Sequence, residues 1–173
     1  MSELQNLPRR QDDFLNISQR DIDDNYAIML LRLFEGIPIS PEKVKTAIDL
    51  YCGNGVMAAA ALGYFPNATV HTVDVHDGIL APYLQQQQRI QFHQGLAGDI
   101  LLSDLLPPAE FVSISEATSR YGLTELHKDP LKKLVRGHLL TIGDNGDLEN
   151  SKWFRDAFKP IKGTFYETIW IPR

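Results

Sequence analysis

The chain has 173 residues, 43% of them hydrophobic and 23% charged, with 12 Gly, 10 Pro and one Cys, and a core of this size buries roughly 70% of the unfolded surface without a disulfide or metal staple. The lone Cys52 excludes an internal disulfide framework and a Cys-based zinc knuckle within one chain. Seventeen Lys and Arg against 22 Asp and Glu leave a net charge of -5, the wrong sign for a general polyanion binder.

The first twenty residues are polar, carry both signs of charge without periodicity, and read as a loose arm. They lack the apolar run of a signal peptide, nothing later approaches the ~18 apolar residues of a membrane span, and the expected location is the cytoplasm. From Asp21, Ile22, Tyr26, Met29, Leu30, Leu33 and Phe34 recur at helical spacing until Gly36 and Pro38, which predicts a helix over 21–35. Val44 to Tyr51 reads as a buried strand, VMAAAALGYF as a helix and Ala68 to Val75 as a second strand. A helix through Ile79, Leu80, Tyr83 and Leu84 follows, ending in the solvated run Gln85 to Gln88. Ile90 to His93 and Phe111 to Ser115 are further strands. Leu126 to Arg136 is a helix closed by Gly137, His138 to Ile142 a fifth strand, and Ser151 to Lys159 a last helix. Gly163 breaks before a final strand, Thr164 to Ile171, leaving the sheet edge open to assignment. The alternation predicts an α/β domain over 21–173, with a mostly parallel sheet of six to seven strands and helices on both faces. Ligands of such sheets bind where the strands end at their carboxyl sides.

One segment there stands out. Gly53 and Gly55 follow a predicted strand and open a predicted helix, and Asp74 lies at the end of the next strand, where a carboxylate can accept hydrogen bonds from both hydroxyls of a ribose. Gly53 to Ala58 also matches the dinucleotide fingerprint G-x-G-x-x-A. Asp49 discriminates between the two cofactor classes, because a dinucleotide site has apolar side chains at that place in the strand. DLYCGNG resembles the D/E-x-x-x-G-x-G motif of the class I S-adenosylmethionine-dependent methyltransferases, and VHTVDV places Asp74 on that family's ribose-binding acid. The likeness runs over residues 44–145 and is nearest in feel to the catalytic domains of small-molecule O-methyltransferases.

This resemblance implies a three-layer Rossmann-like sandwich that takes S-adenosyl-L-methionine as cofactor. It implies a cofactor-binding set of Asp49, Tyr51, Cys52, Gly53, Asn54, Gly55, Asp74, Val75, Gly98, Asp99, Ile100, Ser115 and Glu116. For the adenine end, Asp99 in the Gly98-Asp99 pair is favoured, with Ile100 as a wall; Gly95-Leu96 is the alternative match if the strand ends at His93. Cys52 reads as a small buried side chain. The five His residues lack ligand spacing, so no metal is expected.

The acceptor is narrowed by what is missing. DLYCGNG is also a spelling of uracil-5 RNA methyltransferases, which need a separate catalytic Cys that this chain lacks. The D/N-P-P-Y/F signature of amino-methylating nucleic-acid enzymes is replaced by Ser115-Glu116-Ala117-Thr118, and no His base stands just after the fourth strand. The expected substrate is therefore a small molecule methylated at oxygen or nitrogen, with Glu116 and Tyr121 as candidate catalytic residues and helix 21–35 as a lid. Nucleic acid and membrane are not expected partners, and a homodimer is left open. Two other readings remain: a non-catalytic methyltransferase-like subunit, and a nicotinamide-dependent oxidoreductase, disfavoured by Asp49 and by the lack of a hydride-transfer motif.

Overall fold

Parallel pairing begins with β1 (Thr46–Leu50), whose side chains are apolar on both faces except at Asp49. In the computed structural model, which describes Phe34 and residues 36–115, 122–143, 146–163 and 167–173, β1 is flanked by β2 (Thr69–Asp74) and β4 (Ala109–Ser115). Outside these lie β3 (Ile90–Gln94) and β5 (Val135–Ile142), also parallel to their neighbours. The sheet is completed by β6 (Phe158–Gly163) and β7 (Glu167–Pro172) in the order β3-β2-β1-β4-β5-β7-β6, with β7 antiparallel to both β5 and β6.

Helices cover both faces. Alternation puts Ala47, Val70, Phe111 and Leu140 on one side, against Met57, Ala58, Ala60 and Ala61 of α1 (Val56–Tyr64). The small alanines let this helix lie close to the strands. Below it, Phe34 is fully buried, stacked on Tyr64 at 5.3 Å and packed on Phe65 and Phe111 at 5.2 and 5.1 Å. Ile48, Leu50, Val112, Ile114 and Leu139 face the other way, against α3 (Ala97–Leu102), α4 (Lys128–Leu134) and α6 (Lys152–Ala157). The remaining helices, α2 (Pro82–Gln85) and α5 (Gly146–Asn150), are short. The Arg89 guanidinium gathers the carbonyls of Leu62, Phe65, Pro66 and Ala68 at 2.9 to 3.2 Å. It thereby caps the last turn of α1 and ties it to the start of β2.

The structure corrects five boundaries. A terminal strand pair replaces the single final strand: Phe158 leaves the expected helix at once to begin β6, and Gly163 ends that strand rather than preceding one. β6 forms the sheet edge, and its exposed Lys159, Pro160 and Lys162 are edge chemistry that hides a strand from a hydrophobic pattern. The expected helix 126–136 divides into a 3-10 turn, Glu125–His127, and α4, and β5 starts at Val135. Gly137 therefore sits inside β5, where a Cβ would lie 2.2 Å from the Glu110 carbonyl oxygen. The helix expected through Ile79 and Leu84 shrinks to the single turn α2, opened by Pro82. Helices α3 and α5 were not expected. Of the predicted helix 21–35, only Phe34 is among the described residues.

Candidate functional site

The carboxyl ends of β1, β2 and β4 meet at one place, and the turn after β1 is shaped to lie across them. Tyr51 leaves the strand with φ +61, a left-handed conformation that costs a side-chain-bearing residue roughly 1 to 2 kcal/mol. Gly53 and Gly55 follow at +51 and +90. The Cys52 N–H donates to the Val73 carbonyl at 3.0 Å, holding the turn to β2.

Asp74 makes the second attachment. Its Oδ2 accepts the Gly53 N–H at 3.0 Å and its Oδ1 accepts the His76 N–H at 3.1 Å. Each carboxylate oxygen has two lone pairs, so one remains on each for a further donor. The carboxylate thus shapes the turn and keeps acceptor capacity. The two glycines divide their work. At Gly53 a Cβ would meet no atom within 4 Å, so that side of the turn is open. At Gly55 a Cβ would lie 2.5 Å from Leu84 Cδ1 and 2.8 Å from Leu80 Cδ2, so its missing side chain makes room for leucines rather than for a ligand.

Asp49 is buried at 2% exposure beneath the turn. Its Oδ1 accepts the Ser113 hydroxyl of β4 at 2.8 Å. Its Oδ2 is sealed from solvent and has no hydrogen bond of normal geometry, although the Ala58 N–H in the first turn of α1 favours the ionised form. Desolvation by burial pushes the carboxyl up to about 7, against the Ser113 hydrogen bond; the Asp74 charge adds to the rise. Ser113 is the site residue that sequence reasoning missed. Its signal was a hydroxyl between Val112 and Ile114, in the buried middle of a central strand.

Burial drives the neighbouring groups toward their neutral forms. The Cys52 thiol is pushed well up by desolvation and by the charges of Asp49 and Asp74, so it is no thiolate nucleophile. The Tyr51 phenol is likewise raised by burial. Asn54 is buried with its Nδ2 unpaired, and the Ser115 Oγ at the end of β4 has no partner among the described residues. Val75 is half-buried just beyond Asp74.

On the adenine side, Gly95 and Leu96 directly follow β3, with the Gly95 N–H on the Asp74 carbonyl at 2.8 Å. Asp99 stands three residues further on, exposed in the first turn of α3. A Cβ on Gly98 would meet His127 Nε2 at 2.5 Å, so this glycine exists for helix packing. Ile100 packs on Gly95 and the core. Glu116 and Tyr121, with the lid segment 21–33, lie outside the described residues. A cavity of about 220 Å³, lined by Asp77, Gly78, Leu80, Gln85, Ile90 and Phe92, lies at the β3 edge. Among the described residues there is no group of three metal-ligating side chains, and no helix long and apolar enough to cross a membrane.

The fold as a whole superposes on solved methyltransferases. A methyltransferase from Aquifex aeolicus described as SAM (S-adenosylmethionine) dependent superposes with a TM-score of 0.66 at 13% identity, over 95% of this chain and 97% of that one. The chain has the class I methyltransferase fold. Human N-acetylserotonin methyltransferase in complex with SAM gives a TM-score of 0.59 at 13% identity, and an O-methyltransferase family protein from Burkholderia thailandensis 0.58 at 14%, each over 95% of this chain. The chain spans 55% and 62% of the length of these two. No family model and no curated protein sequence matches it.

Proposed function

We propose that the chain binds S-adenosylmethionine and transfers its methyl group to an oxygen or nitrogen of a small molecule. The observation that carries this reading is the pairing of Gly53 with Asp74 above the buried Asp49, within the class I methyltransferase fold. The residues fit the cofactor: Gly53 offers a side free of atoms, and Asp74 keeps two lone pairs for ribose hydroxyls. Asp49 lies beneath the turn, on the side proposed to take the α-ammonium of the cofactor's amino-acid end.

When bound, the cofactor supplies an electrophilic methyl group on a sulfonium. The protein's task is to hold the acceptor in line, about 3 Å from that carbon, and to take up a proton when the acceptor carries one. Glu116 and Tyr121, which follow β4, are the candidates for contact and proton transfer, and segment 21–33 for the lid. Asp99 or the Gly95-Leu96 turn meets the adenine, with Ile100 against the ring.

Thermal unfolding with S-adenosylhomocysteine, S-adenosylmethionine and NAD tests the reading. A ligand at 100 times its dissociation constant adds about 2.7 kcal/mol of stability, so either adenosyl ligand should raise Tm and NAD should not. Asp74→Ala should weaken adenosylhomocysteine by about 1.5 to 3 kcal/mol, as expected for lost hydrogen bonds to a charged group. A shift with NAD alone would overturn the methyltransferase reading in favour of an oxidoreductase. Binding without transfer to any phenol or amine acceptor would favour a non-catalytic subunit.

A further inference from the structure

Asp49 is built differently from an ordinary structural carboxylate. It is almost completely removed from water, one oxygen is held by the Ser113 hydroxyl, and the other has no hydrogen bond of normal geometry. The groups that act on it can be named element by element. Asp74 at the end of β2 brings a second negative charge, Ser113 on β4 brings a neutral donor, and the first turn of α1 brings the Ala58 N–H. Cys52, from the turn itself, is kept neutral by burial. No Lys, Arg or His is among these groups.

A buried acid with another acid nearby and no cation beside it among the described residues favours its protonated form. That balance changes when a cation is placed above the turn. We infer that the Asp49–Ser113 pair is a proton-linked element of the site: the carboxyl holds a proton when the turn is empty and releases it when a bound ligand sets the α-ammonium of its zwitterionic amino-acid end above it. The inference rests on the proposed binding of adenosyl ligands. Because Oδ2 is sealed, the carboxylate acts on the ligand through its field in a low-dielectric setting rather than by contact. The upward displacement of this carboxyl to about 7 places the exchange in the neutral range. Ser113 is a positioning residue in this scheme. Its hydroxyl stabilises the ionised form and so sets the pH at which the site becomes competent.

The sign follows from linkage: a ligand whose binding expels a proton binds more tightly as pH rises. Calorimetric titration of the full chain at pH 6, 7 and 8, in two buffers of different ionisation enthalpy, measures both affinity and proton release. Adenosylhomocysteine should bind about five- to tenfold more tightly at pH 8 than at pH 6, with close to half a proton released near pH 7. Methylthioadenosine, which lacks the amino-acid end, should keep its affinity within about twofold across the range. Ser113→Ala should move the profile upward by about one pH unit and recover wild-type affinity at pH 9, Ser113→Thr should restore it, and Asp49→Asn should flatten it. A merely structural role for Ser113 would weaken binding equally at every pH. A flat profile for adenosylhomocysteine, or the same slope for both ligands, overturns the inference while leaving the proposed function standing. Failure of both ligands to bind at any pH overturns the two together. The comparison of ligands on the unaltered chain decides the matter even if a variant does not fold.

Discussion

Burying Asp49 to 2% exposure withdraws its carboxyl from water, and the charged form bears most of the cost. Its folded-state value of about 7 lies above the ordinary carboxyl value of 3.8, so the folded chain binds the extra proton between those limits. The contribution of Asp49 to stability is therefore fully present below the unfolded value and is lost as pH rises through 7. Asp49→Asn removes the ionisation and should stabilise the fold at pH 8 by on the order of 2 to 4 kcal/mol, less at pH 5, as read from urea unfolding at the two pH values. Unchanged stability at pH 8 would mean that the carboxylate has a partner the geometry lacks. Asp74 has the opposite relation to the fold. A strand-end acid facing a cleft suggests a side chain that can be removed without structural effect. The structure instead gives it the Gly53 and His76 amides, so its removal disturbs the turn as well as the ligand.

His71 on β2 and His93 on β3 stack with ring centroids 5.2 Å apart and share a hydrogen bond of 3.0 Å between Nδ1 and Nε2. Such a bond needs an N–H on one ring and a lone pair on the other, and double protonation destroys it. Desolvation, helped by His93, lowers His71 to about 4, and burial also lowers His93. Here the folded value lies below the unfolded 6.5, so stability is present above 6.5 and is lost as pH falls toward 4. This trend opposes that of Asp49. An Asp49→Asn chain should therefore unfold at lower urea as pH drops from 6.5 to 4.5, and a further His71→Gln should flatten that slope; no change in slope would show that the pair does not titrate with unfolding. The same scale shows what the sequence disclosed. β1, β2, β4 and α1 were legible because apolar residues on both faces and a run of alanines have few other uses. β6 was not, because FKPIKG carries the Lys and Pro of an exposed edge. Gly137 read as a helix stop because a close approach to the Glu110 backbone leaves no trace in a one-dimensional pattern. The acid-turn-acid motif was legible for its chemistry, whereas Ser113 and the leucines against Gly55 came to light only from strand pairing and packing.

Across the whole molecule, the N-terminal segment meets the core through Phe34, whose ring is wedged among Tyr64, Phe65 and Phe111. A deletion that tests the proposed lid must keep it. Removing residues 1–33 should leave adenosylhomocysteine affinity within about twofold and lower transfer more than roughly a hundredfold, the magnitude of lost positioning. Removing 1–36 should cost a further ~3 to 5 kcal/mol of stability, as for an emptied aromatic site. Transfer that survives the shorter deletion would sink the lid. The same end of α1 is also held by polar contacts. There the single guanidinium of Arg89 holds four carbonyls from the end of α1 and the approach to β2. None of these contacts can be released without straining the rest, so amides in this corner exchange with solvent deuterium only in a shared, large-scale opening. At the other end of the same helix, the amides of the glycine turn hang on one side-chain oxygen, Asp74 Oδ2 on the Gly53 N–H, and a few backbone bonds, and small local openings suffice to expose them. One nine-residue helix thus spans the slowest and the fastest clocks of the fold.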